Sequence, residues 1–145
     1  MSPNDLFDRG VAELAQALTP AGFTFVRTDE DDGSGDPPAR GEFRKGDRRL
    51  ELQARRSLNV VRYHFGEHVL SHEDFVRGVR AVDGIAGEAQ YPGFSEDPAA
   101  GFRHLRADIE RFGAVFLTGG AKAFRALKKW VDKNPRKSGI AGLGR

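Results

Sequence analysis

Between Arg40 and Phe65 the chain runs through three strand-like segments joined by connections of only a few residues. Arg40 to Arg44 leads into Lys45-Gly46-Asp47, a turn composition. Leu50, Leu52 and Ala54 then alternate with Glu51, Gln53 and Arg55, the period-two pattern of a strand with one wet face. Leu58 to Phe65 is nearly continuous apolar sequence, interrupted by Asn59, Arg62 and His64, which suits a more central strand. Parallel neighbours need a crossover of about a dozen residues, so connections this short dictate antiparallel pairing. Upstream, Phe23-Thr24-Phe25-Val26-Arg27 has the aromatic and β-branched content of another strand. The expectation is a β-meander of about four strands.

The flanking sequence reads as helix. Phe7, Val11, Leu14 and Leu18 recur at four, three and four between Asp5 and Leu18, and Thr19-Pro20 and Gly22 end that run. Ser71, with Asp74 three residues on, resembles a capping box ahead of Phe75, Val79 and Val82, and Gly84 and Gly87 stop the helix. Asp97-Pro98 supplies a cap and a first-turn proline before the stripe Phe102, Leu105, Ile109 and Phe112, closed by Gly113. A last helix spans Ala121 to Lys133 on Phe124, Leu127, Trp130 and Val131, ending at Asn134-Pro135. Strands followed by helices make the fold class α+β: an N-terminal helix, the antiparallel meander, then three helices packed on one face. The 145 residues suit one domain, over residues 1–135, with 136–145 a flexible basic tail. The acidic stretch Asp29 to Pro38, with glycines and prolines, reads as a mobile loop.

Zero cysteines exclude disulfides and thiolate metal or iron–sulfur sites. No apolar run approaches the roughly 20 residues of a membrane helix, and the N-terminal residues lack a basic-then-apolar signal, so a cytoplasmic location is expected. The net charge is only +2, yet Pro37 to Pro135 holds 18 basic against 13 acidic residues, the acid excess being concentrated in the loop before it. The body is therefore more basic than the total.

His64-Phe65-Gly66-Glu67-His68 matches the spacing of an inverted zinc-peptidase motif, and His72 extends the series. That chemistry needs two imidazoles on one helical face. Here the motif falls on a strand end with Gly66 at its centre, so solvated His68 and His72 in a turn are expected, and no metal or other cofactor is. A metal-dependent hydrolase at His64, His68 and His72 remains an alternative. Asp29, Asp31 and Gly33 alternate as in a calcium loop, but Arg40 stands where the twelfth-position glutamate belongs. Thr118-Gly119-Gly120-Ala121-Lys122 lacks the Gly-Lys-Ser/Thr ending of a phosphate loop. Tyr91-Pro92-Gly93-Phe94 reads as a type II turn pinned by its aromatics.

Arginines supply the most extended pattern. Arg44, Lys45, Arg48 and Arg49 crowd one hairpin, Arg55 and Arg56 the next turn, and Arg62 and His64 follow on the strand beyond. Arg44, Arg49, Arg55, Arg62 and His64 are the candidate binding residues, because a sheet face bearing guanidiniums can grip carboxylates or phosphates in pairs of hydrogen bonds. Glu42, Asp47 and Glu51 are interleaved, so cross-strand ion pairs compete for the same groups. Lys122, Arg125, Lys129 and Lys133 form a second basic stripe on the last helix.

The order of a helix, Ala21-Gly22-Phe23 opening a strand, Gly41-Glu42-Phe43-Arg44, Leu50-Glu51-Leu52-Gln53 and Arg56-Ser57 resembles small uncharacterised bacterial α+β proteins, some suspected to be immunity proteins encoded beside toxins. The resemblance covers the first half of the chain and implies a protein partner, a toxin in the immunity case, with no active site to carry over. The resulting expectation is a non-enzymatic protein-binding module whose polar side chains coat the scaffold and do not converge. The alternative is a nucleic-acid-binding protein using the basic sheet face and the C-terminal helix.

Overall fold

The computed structural model describes residues 3–29, 37–93 and 97–136. Its elements are α1 (Pro3–Leu18), β1 (Thr24–Arg27), β2 (Ala39–Lys45), β3 (Arg48–Ala54), β4 (Leu58–Phe65), β5 (His68–Ser71), α2 (His72–Gly78) continued by a π-helical turn (Val79–Asp83), α3 (Ala100–Phe112), α4 (Ala114–Leu117) and α5 (Ala121–Lys133). The strands form one antiparallel sheet in chain order, so the α+β meander is present with five strands where about four were expected. The fifth arises because Gly66, at φ +62°, closes a two-residue turn that folds His68–Ser71 back on β4. Gly46, at φ +60°, closes the β2–β3 hairpin in the same way.

Register places Phe25, Phe43, Leu50, Tyr63 and Leu70 in one row across the sheet, on the face that all the long helices cover. Helix α1 lies over β1–β3, and α2 and α5 over β4 and β5. Phe7, Leu14 and Leu18 of α1, Phe102, Leu105, Ile109 and Phe112 of α3, and Phe124 and Leu127 of α5 close the core from that side. The rings interlock: Tyr63 stacks on Phe75 with centroids 4.1 Å apart and meets Phe116 edge-on at 5.1 Å.

The start of α2 follows its capping signal, Ser71 Oγ accepting the Asp74 N–H at 3.2 Å. Asp97 and Pro98, expected to cap and open the next helix, instead precede it: Asp97 Oδ1 accepts the Ala99 N–H at 3.0 Å in the turn before α3, which begins at Ala100 without a side-chain cap. Val82, expected on a buried stripe, is exposed, because the backbone widens into the π turn before Gly84 ends it at φ +69°. No helix among the described residues is long and apolar enough to cross a membrane. The acidic loop beyond Asp29, the aromatic Phe94 and the tail from Lys137 lie outside the described residues. Asp29 itself is held by Arg27, whose Nε and Nη2 donate to its two oxygens at 2.6 and 3.0 Å. That contact holds the Asp29 carboxyl below the usual range and raises Arg27. The expected turn at Tyr91-Pro92-Gly93-Phe94 lies partly outside the described residues; within them the Tyr91-Pro92 peptide is cis.

Candidate functional site

With every long helix on one side, no element among the described residues covers the opposite face of the sheet. Alternation brings Arg40, Glu42 and Arg44 of β2, Arg49, Glu51 and Gln53 of β3, Arg62 and His64 of β4 and Val69 of β5 to this face. Four of the five candidate binding residues, Arg44, Arg49, Arg62 and His64, therefore share one surface. Arg55 does not join them. A register irregularity between Gln53 and Ala54 ends the strand, leaving Arg55 exposed in the β3–β4 connection with its N–H on the Ser57 carbonyl.

Six polar side chains on the open face form a single chain of contacts. Glu42 accepts from Arg44 Nε through one oxygen and from Arg49 Nη1 at 3.0 Å through the other. Arg49 Nη2 reaches His64 Nδ1 at 3.1 Å, His64 Nε2 reaches Glu51 Oε1 at 2.8 Å, and Glu51 Oε2 accepts from Arg62 Nη1 at 3.3 Å. A guanidinium only donates, so His64 Nδ1 is the acceptor and Nε2 carries the proton given to Glu51. The cross-strand ion pairs expected to compete for these groups are formed, Glu42 with Arg49 and Glu51 with Arg62 and His64. Glu42 is only 5% exposed, although Arg44 and Arg49 remain 48% and 43% exposed at their side chains. Arg40, not singled out from the sequence, joins the same face with its Nε on Gln53 Oε1 at 2.8 Å.

The register is unusual for charge. Arg44 sits directly opposite Arg49, and Glu42 directly opposite Glu51. Like charges in directly opposed positions destabilise a sheet; between β2 and β3 Glu42 takes its cations from Arg44 and Arg49 at neighbouring positions, while between β3 and β4 Glu51 stands directly opposite Arg62 and pairs with it.

A second constellation lies on the helical side. His72 was expected in solvent and is 4% exposed, because it starts α2 against the core. Its Nε2 lies 2.8 Å from Asp108 Oδ2, and its Nδ1 2.8 Å from the Tyr63 hydroxyl. Asp108 further accepts the backbone N–H groups of Gln90 at 2.7 Å and Tyr91 at 2.9 Å. Four segments thus converge on buried polar atoms, contrary to the expectation of a merely coated scaffold. Asp108 accepts only, so His72 Nε2 donates, and in the neutral ring Nδ1 takes the Tyr63 proton. Burial and the nearby Asp108 charge push the Tyr63 hydroxyl well above its ordinary pKa, which keeps that proton in place. Tyr91, whose hydroxyl donates to the Leu58 carbonyl at 2.7 Å, is pushed up to about 12 by burial.

Beside this cluster a cleft of about 670 Å³ opens between Leu58 and Val61 of β4, His72, and Tyr91 and Pro92. Both His72 nitrogens are already engaged by protein, so the ring presents carbon to the cleft. A proton transfer there would first require breaking one of the two bonds. The single sequence sign of this cluster was Asp108 itself, an acid three residues after Leu105 and four before Phe112 on an apolar stripe.

The three histidines of the metal alternative do not share a site. Directly paired residues point to the same face, so His64 lies with Val69 on the open side and His68 with Phe65 on the core side, while His72 is bound to Tyr63 and Asp108. Among the described residues no group of three histidines or carboxylates could hold a metal ion. Lys122, Arg125, Lys129 and Lys133 are exposed along α5, opposite its buried Phe124, Leu127 and Val131 and hence on the helical side of the molecule. No protein-family model, curated protein or solved structure matches this chain.

Proposed function

We propose that this chain is a non-enzymatic protein-binding module whose contact surface is the helix-free face of the sheet. The observation that carries the reading is the like-charge register on that face, Arg44 opposite Arg49 and Glu42 opposite Glu51, with Glu42 nearly buried. Between β2 and β3, a face shaped for solvation and stability alone would set opposite charges directly across from one another, as Glu51 and Arg62 stand between β3 and β4, and would leave long side chains free. Here six charged or titratable side chains are locked into one network on a rigid sheet, which lowers the ordering cost of presenting guanidiniums to a partner. Engagement of both ring nitrogens in His64 and His72 supports a binding role over proton-transfer chemistry. The resemblance to immunity-like proteins makes a toxin the partner of this kind, and the cysteine-free chain suits a reducing compartment such as the cytoplasm.

The test is photo-crosslinking in the native host with the reactive residue at Val60 or Val69 on the open face, and at Lys129 on α5 as the control. A discrete protein adduct from the sheet positions alone, reconstituted afterwards from purified components, supports the reading. Adducts only from Lys129 contradict it. A second reading, a nucleic-acid partner, is favoured by the exposed cations of α5. It predicts oligonucleotide binding that weakens steeply with salt.

A further inference from the structure

The open face also carries information about the partner's chemistry, an inference that rests on the module reading above. Arg40 and Arg44 are each anchored through Nε, to Gln53 Oε1 and Glu42 Oε1 respectively. Among the described residues neither guanidinium gives a hydrogen bond from its Nη1 or Nη2. A guanidinium tied at Nε keeps its terminal pair of parallel N–H groups, which matches the two oxygens of a carboxylate. Both residues lie on β2, four positions apart on the same face, which separates their Cα atoms by about 13 Å. Arg40 is exposed and Arg44 is 48% exposed at its side chain, so both forks are open to a partner.

We infer that Arg40 and Arg44 recognise two carboxylates of an acidic protein segment laid along β2, in the manner of an extended strand presenting Asp or Glu at alternate positions. An extended chain places same-face residues about 6.6 Å apart, so every second acidic side chain on one face reaches a fork. Two observations favour carboxylates over the phosphates of a nucleic acid. The open-face positions on β2–β5, from Arg40 through Val69, contain no phenylalanine, tyrosine or tryptophan on which a base could stack, those of the strands lying in the core, and the His64 ring there is only 17% exposed at its side chain with both nitrogens engaged. The cations of α5 lie on the helical side and cannot join the same straight contact.

The experiment uses the full chain and a labelled 12-residue peptide of alternating glutamate and threonine, the glutamine version of that peptide, and 12-nucleotide single- and double-stranded DNA. The glutamate peptide is expected to bind at least tenfold more tightly than any of the others at moderate salt. Arg40→Lys with Arg44→Lys keeps the charge and removes the forks, and is expected to weaken glutamate-peptide binding about tenfold, the equivalent of about 1.4 kcal/mol. Circular dichroism and urea unfolding confirm that the double variant is folded. Equal binding of the glutamine peptide, tighter binding of DNA, no binding of the glutamate peptide, or indifference to the lysine exchange each overturns the carboxylate assignment. Such a failure is distinguishable from failure of the module reading, because crosslinks from Val60 and Val69 to a partner without an acidic segment would leave the module standing.

Discussion

His72 Nε2 and Asp108 Oδ2 stand 2.8 Å apart in the core, 36 positions apart in sequence and each less than 5% exposed. The carboxylate is saturated by donors, taking His72 and the Tyr91 N–H on one oxygen and the Gln90 N–H on the other. Asp108→Asn therefore forces an amide NH₂ against a backbone N–H or against the imidazole, whichever way it is turned. The expected cost is about 2–4 kcal/mol in urea unfolding, with the slope unchanged. A loss below about 0.5 kcal/mol would show that the cluster does not hold the 85–92 segment in place.

The chain has only two tyrosines, so its alkaline absorbance reports on Tyr63 and Tyr91 alone. Burial raises both, Tyr91 to about 12. The unfolded chain releases these protons near pH 10, whereas the folded chain keeps them longer. Their contribution to stability is thus complete below about pH 10 and is lost as pH rises above it, that of Tyr91 through about 12. Spectrophotometric titration is expected to show no tyrosinate until above about pH 11, where unfolding and ionisation coincide. Tyr91→Phe is expected to remove one of the two ionisations. A tyrosinate signal near pH 10 from the folded chain would contradict the burial of both hydroxyls.

Gly10 lies inside α1, where alanine is ordinarily better by about 1 kcal/mol. A Cβ there would stand 2.2 Å from the Phe102 ring of α3, which is fully buried and has nowhere to turn. Gly10→Ala is therefore expected to destabilise, by about 1–3 kcal/mol, reversing the sign set by helix propensity. Thermal unfolding decides it; a rise in Tm would mean that α1 and α3 are less closely packed than described.

Glu42→Gln leaves Arg44 and Arg49 opposed without the carboxylate between them. A loss of about 1–2 kcal/mol at low salt is expected, partly recovered at about 1 M salt as the guanidiniums are screened. The unsubstituted chain is expected to respond less to salt. An equal salt response in both would indicate that Glu42 does not neutralise the pair.

Much of the architecture was legible because it rests on local pattern. The Leu58–Phe65 strand and the Ala121–Lys133 helix have the bounds expected from their apolar runs and terminators. Strand β5 was not legible: only Val69 and Leu70 are apolar between His68 and His72, too short a run to signal a strand, and it forms because a left-handed Gly66 turns it onto β4. The arginine face followed from alternation, but the roles of Glu42 and Arg40 depend on register, which decides who stands opposite whom and which local pattern does not state. His72 was misjudged as solvated because its partners, Tyr63 and Asp108, lie 9 positions before it and 36 after it. Only the acid on the α3 stripe hinted at them.

The central claim is that the open sheet face makes the contact, and NMR titration of the arginine Nε–Hε signals with the alternating glutamate peptide tests it most directly. Arg40, Arg44 and Arg49 are expected to shift together and saturably, while the amides of α5 from Lys122 to Lys133 stay in place. Shifts confined to α5, with the Arg40 and Arg44 signals unmoved, would contradict the account.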